Sequence, residues 1–97
     1  MNPTKHHRPM QVAVEISMYP LTAQYEPPII QFIRQLKQEV GIQVHTNELS
    51  TQVAGEYDLV MNTLQAAMKN TFQEQGTCSF VLKVLNVEIQ PGSGVDI

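Results

Sequence analysis

Along this chain the spacing of apolar positions keeps changing, and each change predicts an element. Val12, Val14, Ile16 and Met18 alternate with Ala13, Glu15 and Ser17, which predicts a strand over residues 11–18 with two unlike faces. Pro27 and Pro28 suit the first turn of a helix, where a missing N–H costs no hydrogen bond. Behind them Ile29, Ile33, Leu36 and Val40 keep helical spacing until Gly41. Residues 42–47 and 51–55 read as two short strands joined by a tight connection at 48–50. Tyr57, Val60, Met61, Leu64, Met68 and Phe72 then recur at three- and four-residue steps, with Asp58 in the first turn and Gly76 beyond the end, predicting a second helix. Residues 79–89, nearly continuously apolar, predict a long last strand.

Strand, helix, strand, strand, helix, strand is the order of the ferredoxin-like α+β sandwich, in which two helices cover one face of a four-stranded antiparallel sheet. The first and third strands are neighbours in that fold, so Glu15 and Ser17 come close to residues 51–55. Two helices on one face leave the other open, and the last strand has apolar residues at both parities. Leaving even a few hundred Å² of apolar surface in water forfeits several kcal/mol at ~25 cal/mol per Å², comparable with the net stability of a small domain. The expectation is a second copy on that face, in a homodimer or homotetramer.

Composition narrows the function classes. The 97 residues, 42% hydrophobic and 15% charged, make one domain, expected over 11–89, with a disordered leader at 1–10 and a flexible tail at 90–97. No apolar run approaches the ~20 residues that span a bilayer, and no apolar stretch follows Lys5 and Arg8, so a cytoplasmic setting is expected. Six Lys and Arg against nine Asp and Glu form no basic stripe, which argues against nucleic acid. Cys78, the single cysteine, excludes an intramolecular disulfide and a thiolate zinc site, and reads as a small hydrophobe. His6 and His7 sit in the expected leader and read as solvated. No cofactor and no metal site are expected.

Candidate chemistry concentrates in two places: residues 45–57, HTNELSTQVAGEY, and the end of the first strand. The fold hosts many functions, so the residues must choose among them. The loop after the first strand lacks the paired cysteines of a copper chaperone. The central strands lack the stacking aromatics of an RNA-recognition module. The arginines, Arg8 and Arg34, are misplaced for an acylphosphatase-like anion loop. A Cys78–His45 catalytic dyad would lack an orienting third group and oxyanion donors, so no enzyme is expected.

The stretch from Glu15 to Leu21, EISMYPL, resembles the strand-one ending of the YkoF-like thiamine- and hydroxymethylpyrimidine-binding proteins. Residues 46–55, TNELSTQVAG, are similar to their Ser-Thr-containing segment before a glycine on strand three. Tyr57-Asp58, the helix behind it, and residues 76–79 before the last strand extend the resemblance over about 12–88. One departure is Ala54, where the wider single-module thiamine-binding group commonly carries Glu before the glycine. The resemblance implies a non-enzymatic binder of thiamine or its pyrimidine precursor whose subunits associate through their sheets.

An aminopyrimidine offers an amine donor and ring-nitrogen acceptors, and asks for matched polar groups in an apolar slot. Ser17, Ser50 and Thr51 are candidates to hydrogen-bond the ring, Asn47 to complete the pattern, Tyr19 to pack on its face and Gly55 to allow close backbone approach. Glu15 would favour the cationic thiazolium of thiamine. Plainer roles stand beside these. Ser50 and Thr51 equally suit a hairpin turn, Tyr19 a strand end, His45 a solvated strand position, and Glu15 an ion pair with Lys83 across a subunit interface. Both parities of the third strand remain candidates for a pocket. The alternative function is a homo-oligomeric interaction or regulatory module without a small-molecule ligand.

Overall fold

A computed structural model describes residues 9–95 of the chain. Most of the expected leader therefore lies outside the described residues. The elements are β1 (Gln11–Pro20), α1 (Glu26–Lys37), β2 (Gln43–Thr46), β3 (Thr51–Glu56), α2 (Tyr57–Glu74) and β4 (Cys78–Leu85). All neighbours in the sheet order β2-β3-β1-β4 are antiparallel, and both helices pack on one face: this is the ferredoxin-like α+β fold.

Alternation in β1 sorts the residues as the pattern predicts. Val12, Val14 and Ile16 are buried against the helices, Val53 continues their layer on β3, and Phe80 and Leu82 on β4 are partly buried against it. The helices supply Phe32, Leu36, Val60, Leu64 and Ala67. Fully burying each larger side chain contributes about 1.5–3 kcal/mol. Phe80 joins the layers, with ring centroids 5.0 Å from Phe32 and 5.6 Å from Phe72.

Three features differ from the sequence expectation. Helix α1 ends at Lys37, capped by Gln38, so Val40 stands 88% exposed in the turn instead of closing the helix face. Its buried row is Pro28, Phe32 and Leu36, with Ile29 and Ile33 half-buried beside it. On α2 the buried row is Val60, Leu64, Ala67 and Thr71, while Tyr57 and Phe72 are largely exposed. Thr71 is tolerated inside because its hydroxyl donates to the Ala67 carbonyl at 3.0 Å.

The third difference reshapes the open face. Strand β4 ends at Leu85, and the chain bends away instead of continuing to Ile89. Val87 and Ile89 then share a small cavity of about 200 Å³ with Ala13, Gln52 and Leu85 on the sheet face away from the helices. Further on, the Gly92 N–H donates to Gln52 Oε1 at 2.7 Å. Gly92 has φ +82 and lies so near the His45 ring that a Cβ there would stand 2.9 Å from it. The chain's own residues 87–92 thus lie over the end of the open face that holds Ala13 and Ala54, each 5% exposed. At the Ser17–Val81 end, Val81 remains 58% exposed.

Candidate functional site

Antiparallel register decides which polar residues can meet. Glu15 pairs with Gln52 on one side and Lys83 on the other, while Ile16 pairs with Thr51, and Thr51 with Thr46. Thr51 and Val53 therefore share the helix-facing side with Ile16 and Val14. Gln52 and Ala54 share the open side with Glu15 and Ala13. This settles the parity of the third strand.

Beyond the end of that register, the β2–β3 connection folds over the start of α1. Asn47 organises it: its Oδ1 accepts the backbone N–H of Leu49 at 2.8 Å and of Ser50 at 2.9 Å, while its own N–H donates to the Ser50 carbonyl at 3.0 Å. Between this turn, the last residues of β1 and the first turns of α1 lies a cavity of about 270 Å³. Ser17, Tyr19, Asn47, Ser50 and Thr51 all line it. Its apolar wall comes from Ile16 and Met18 on β1 and from Ile29, Phe32 and Ile33 on α1. Thr46, Glu48 and the mostly exposed Leu49 and Tyr19 complete the lining.

The polar groups are already partly committed. Thr46 and Thr51 hydroxyls bond each other at 2.9 Å. The Ser50 hydroxyl donates to Glu15 Oε2 at 2.9 Å. Glu15 Oε1 lies 3.4 Å from Lys83 Nζ, on the adjacent strand of the same chain, so this ion pair needs no subunit interface. The Ser50 hydrogen bond, followed by Lys83, holds the Glu15 carboxyl below its ordinary value of 4.5, against a small opposing effect of burial.

Two predicted site residues lie elsewhere. Glu15 is on the open face, joined to the cavity only through Ser50. Gly55 is at the far end of β3, where a Cβ would stand 3.2 Å from Val60 and 3.3 Å from the Gly41 carbonyl. The close approach it permits is by the chain itself. The sequence reading in turn assigned Phe32 no role, although it lines the cavity and joins the aromatic cluster. Its four-residue spacing from Pro28 and Leu36 was the available signal.

Dyad chemistry is not assembled. His45 is on β2 and Cys78 on β4, opposite edges of the sheet, so at least three strand spacings or ~14 Å separate them, and His45 is level with Glu15 of β1 whereas Cys78 pairs with Pro20. Burial pushes the Cys78 thiol up, with a smaller opposing effect from the Tyr19 backbone. Among the described residues no cluster of three His, Cys, Asp or Glu side chains could hold a metal ion, and no helix is long and apolar enough to cross a membrane.

Among curated proteins none matches the sequence. In solved structures the fold recurs. Protein SP2199 of Streptococcus pneumoniae superposes with a TM-score of 0.74 at 23% identity, over 82% of this chain and 90% of that one. The hypothetical protein MJ1052 of Methanocaldococcus jannaschii gives 0.71 at 20% identity, over 87% and 88%. A candidate thiamine biosynthesis/salvage protein of Thermotoga maritima, TM0486, gives 0.69 at 18% identity, over 76% and 81%. Likeness at these identities speaks for the fold alone. The sequence itself matches the YKOF-related family over residues 11–85, most of its length, and the chain belongs to that family.

Proposed function

We propose that this protein binds thiamine or its hydroxymethylpyrimidine precursor without transforming it, linked to uptake or salvage, in the cavity under the 47–50 turn. The observation that supports the reading is one apolar-walled cavity edged by Asn47 and Thr51, with Ser17 and Ser50 at its rim on the side of the sheet that holds Glu15, in a chain of the YKOF-related family. The description of the Thermotoga maritima structural relative points the same way. A flat heteroaromatic ring suits such a slot, where a few polar groups orient a ligand that apolar side chains hold.

Size favours the pyrimidine half. The cavity, about 270 Å³, is just below the ~300–1,000 Å³ of sites for drug-sized ligands. In this reading the ring sits against Phe32 and Ile33, and the hydroxymethyl group or the thiazolium projects past Tyr19 and Leu49. Glu15, already paired with Lys83, acts through Ser50 instead of meeting the thiazolium charge. The protein works in the cytoplasm as a homodimer or homotetramer, with the second copy on the uncovered Ser17–Val81 end of the sheet.

Calorimetric titration with thiamine, hydroxymethylpyrimidine and thiamine phosphate tests the reading. Micromolar binding of at least one compound is expected, weakened in Thr51→Val. A second reading, a self-associating module without a ligand, draws on the exposure of Val81. Silence with all three compounds from a folded oligomer would favour it and refute ligand binding.

A further inference from the structure

Strand β4 is an outer strand of the sheet, paired with β1 alone. The Leu21 N–H donates to the Thr77 carbonyl at 3.0 Å, which makes 21–77 a hydrogen-bonded pair, and Pro20, opposite Cys78, has no N–H to give. Alternation along an antiparallel ladder then turns the backbone groups of Ser79, Val81, Lys83 and Leu85 toward β1. Those of Cys78, Phe80, Leu82 and Val84 point outward, where the sheet has no further strand. Native proteins usually guard such an edge with charges, Pro or a bulge. The run from Cys78 to Leu85 has no Pro or Gly and one charge, and that charge, Lys83, is turned to Glu15 of β1 at 3.4 Å. Apolar side chains flank the edge. On α2, Asn70 bonds Gln35 and so marks the side toward α1. Met61, Met68 and Phe72 lie on the opposite flank of the buried row, and the Phe72 ring meets Phe80 edge-on, which sets this flank above β4. Phe72, Val81 and Val84 are all largely exposed.

We infer that a second copy of this chain adds its β4 to this edge across a twofold axis, joining two four-stranded sheets into one continuous sheet. This contact is distinct from the one proposed above, which uses the open face, and it depends on no ligand. Only outward-facing residues can exchange hydrogen bonds, so the strand fits its own copy in registers that match positions 78, 80, 82 and 84 among themselves. The register centred on Val81 uses all four: Cys78 lies opposite Val84, Phe80 opposite Leu82, and Val81 opposite its own counterpart. Every other register leaves at least one of these pairs unmade, and the one centred on Lys83 sets two ammonium groups against each other. In the Val81 register Lys83 faces Ser79 instead, so no like charges oppose. Four pairs of two hydrogen bonds each, at one bond per ~100–200 Å², correspond to an interface of about 800–1,600 Å², reaching the ~1,200–2,000 Å² of stable complexes. The apolar flanks of α2 from the two copies then cover the seam between the strands.

The test reads the mass of the full chain by light scattering at micromolar concentration, for the wild type, Val84→Pro and Val84→Thr. Pro removes an outward N–H that the β1–β4 ladder does not use, whereas Thr keeps it. Val84→Pro is expected to halve the mass of the wild-type assembly with the fold intact by circular dichroism, and Val84→Thr to leave it unchanged. Cysteine cross-linking, in a Cys78→Ser background under mild oxidation, reads the register. Val81→Cys is expected to link to its own copy, because a non-hydrogen-bonded pair stands ~4.5 Å apart between Cα atoms, within disulfide reach. Ser79→Cys and Lys83→Cys should each stay unlinked alone and link when mixed. Copies stacked face to face, ~10 Å apart, could not give this pattern. If Val84→Pro fails to fold, the cysteine pattern decides alone. A monomeric wild type, an assembly whose mass survives in folded Val84→Pro, or Val81→Cys that stays unlinked would overturn the inference while leaving the ligand reading untouched.

Discussion

Ser50 and Glu15, 35 positions apart in sequence, are joined by a hydrogen bond of 2.9 Å that ties the β2–β3 turn to the centre of the sheet. The carboxyl that accepts it also faces Lys83, and both contacts favour its charged form. A carboxyl whose folded value is depressed stabilises the fold above the ordinary carboxylate value of 4.5, and that contribution disappears as pH falls through the depressed value. Urea midpoints of the wild type and Glu15→Gln should therefore differ at pH 7 and converge as pH falls through the depressed value. A difference that grew on acidification would contradict the assigned direction.

Helix α2 has an uncommon cap. Glu56, with extended backbone, accepts from Asp58 N at 2.9 Å and from Leu59 N at 3.1 Å, taking the place of the shorter side chains usually found there. Glu56→Ala should destabilise the protein by about 1 kcal/mol, within the ~0.5–2 kcal/mol range for lost caps. Chemical denaturation would measure it.

The two helix phenylalanines should separate in stability. Phe32 is 2% exposed and Phe72 is 53% exposed, although both touch Phe80. Phe32→Ala is expected to cost about 3–5 kcal/mol. Phe72→Ala should cost about half as much or less, near ~1–2 kcal/mol, since much of its ring is already in water. Equal costs would place the core differently from this packing.

Gly92 holds the C-terminal segment on the sheet. Its positive φ and its contact with His45 leave no room for a side chain, so Gly92→Val should detach the segment from Gln52. Amide hydrogen exchange is expected to speed up around residue 92 with little change in the β1–β3 core. If protection there were the same in the variant, the segment would not be anchored through Gly92.

These residues also show what the amino-acid pattern could convey. Strict alternation in β1 identifies the core side because each inward residue is apolar, and the order of elements leads to the sheet topology. Leu82, Val84, Val87 and Ile89 cannot be divided by the same rule. The run is apolar throughout, so the bend after Leu85 leaves no mark in its periodicity. Phe32 was hidden because α1 is apolar at 29, 30, 32 and 33, and spacing alone cannot say which of two adjoining rows turns inward. Ser17, Tyr19, Asn47, Ser50 and Thr51 were legible as a group because hydroxyls and an amide crowd two short stretches that the topology makes neighbours. The place of Glu15 on the open face follows from that same alternation, whereas the place of Gly55 depends on the packing of Gly41 and Val60, which no local pattern encodes.

The most direct test of the central claim is a heteronuclear NMR titration of the full chain with hydroxymethylpyrimidine. The account predicts saturable, micromolar shifts concentrated at Ser17, Tyr19, Asn47, Leu49, Ser50 and Thr51, with residues 87–92 little affected. Unchanged spectra, or shifts confined to the far end of β3 around Gly55, would contradict a pyrimidine site beneath the 47–50 turn.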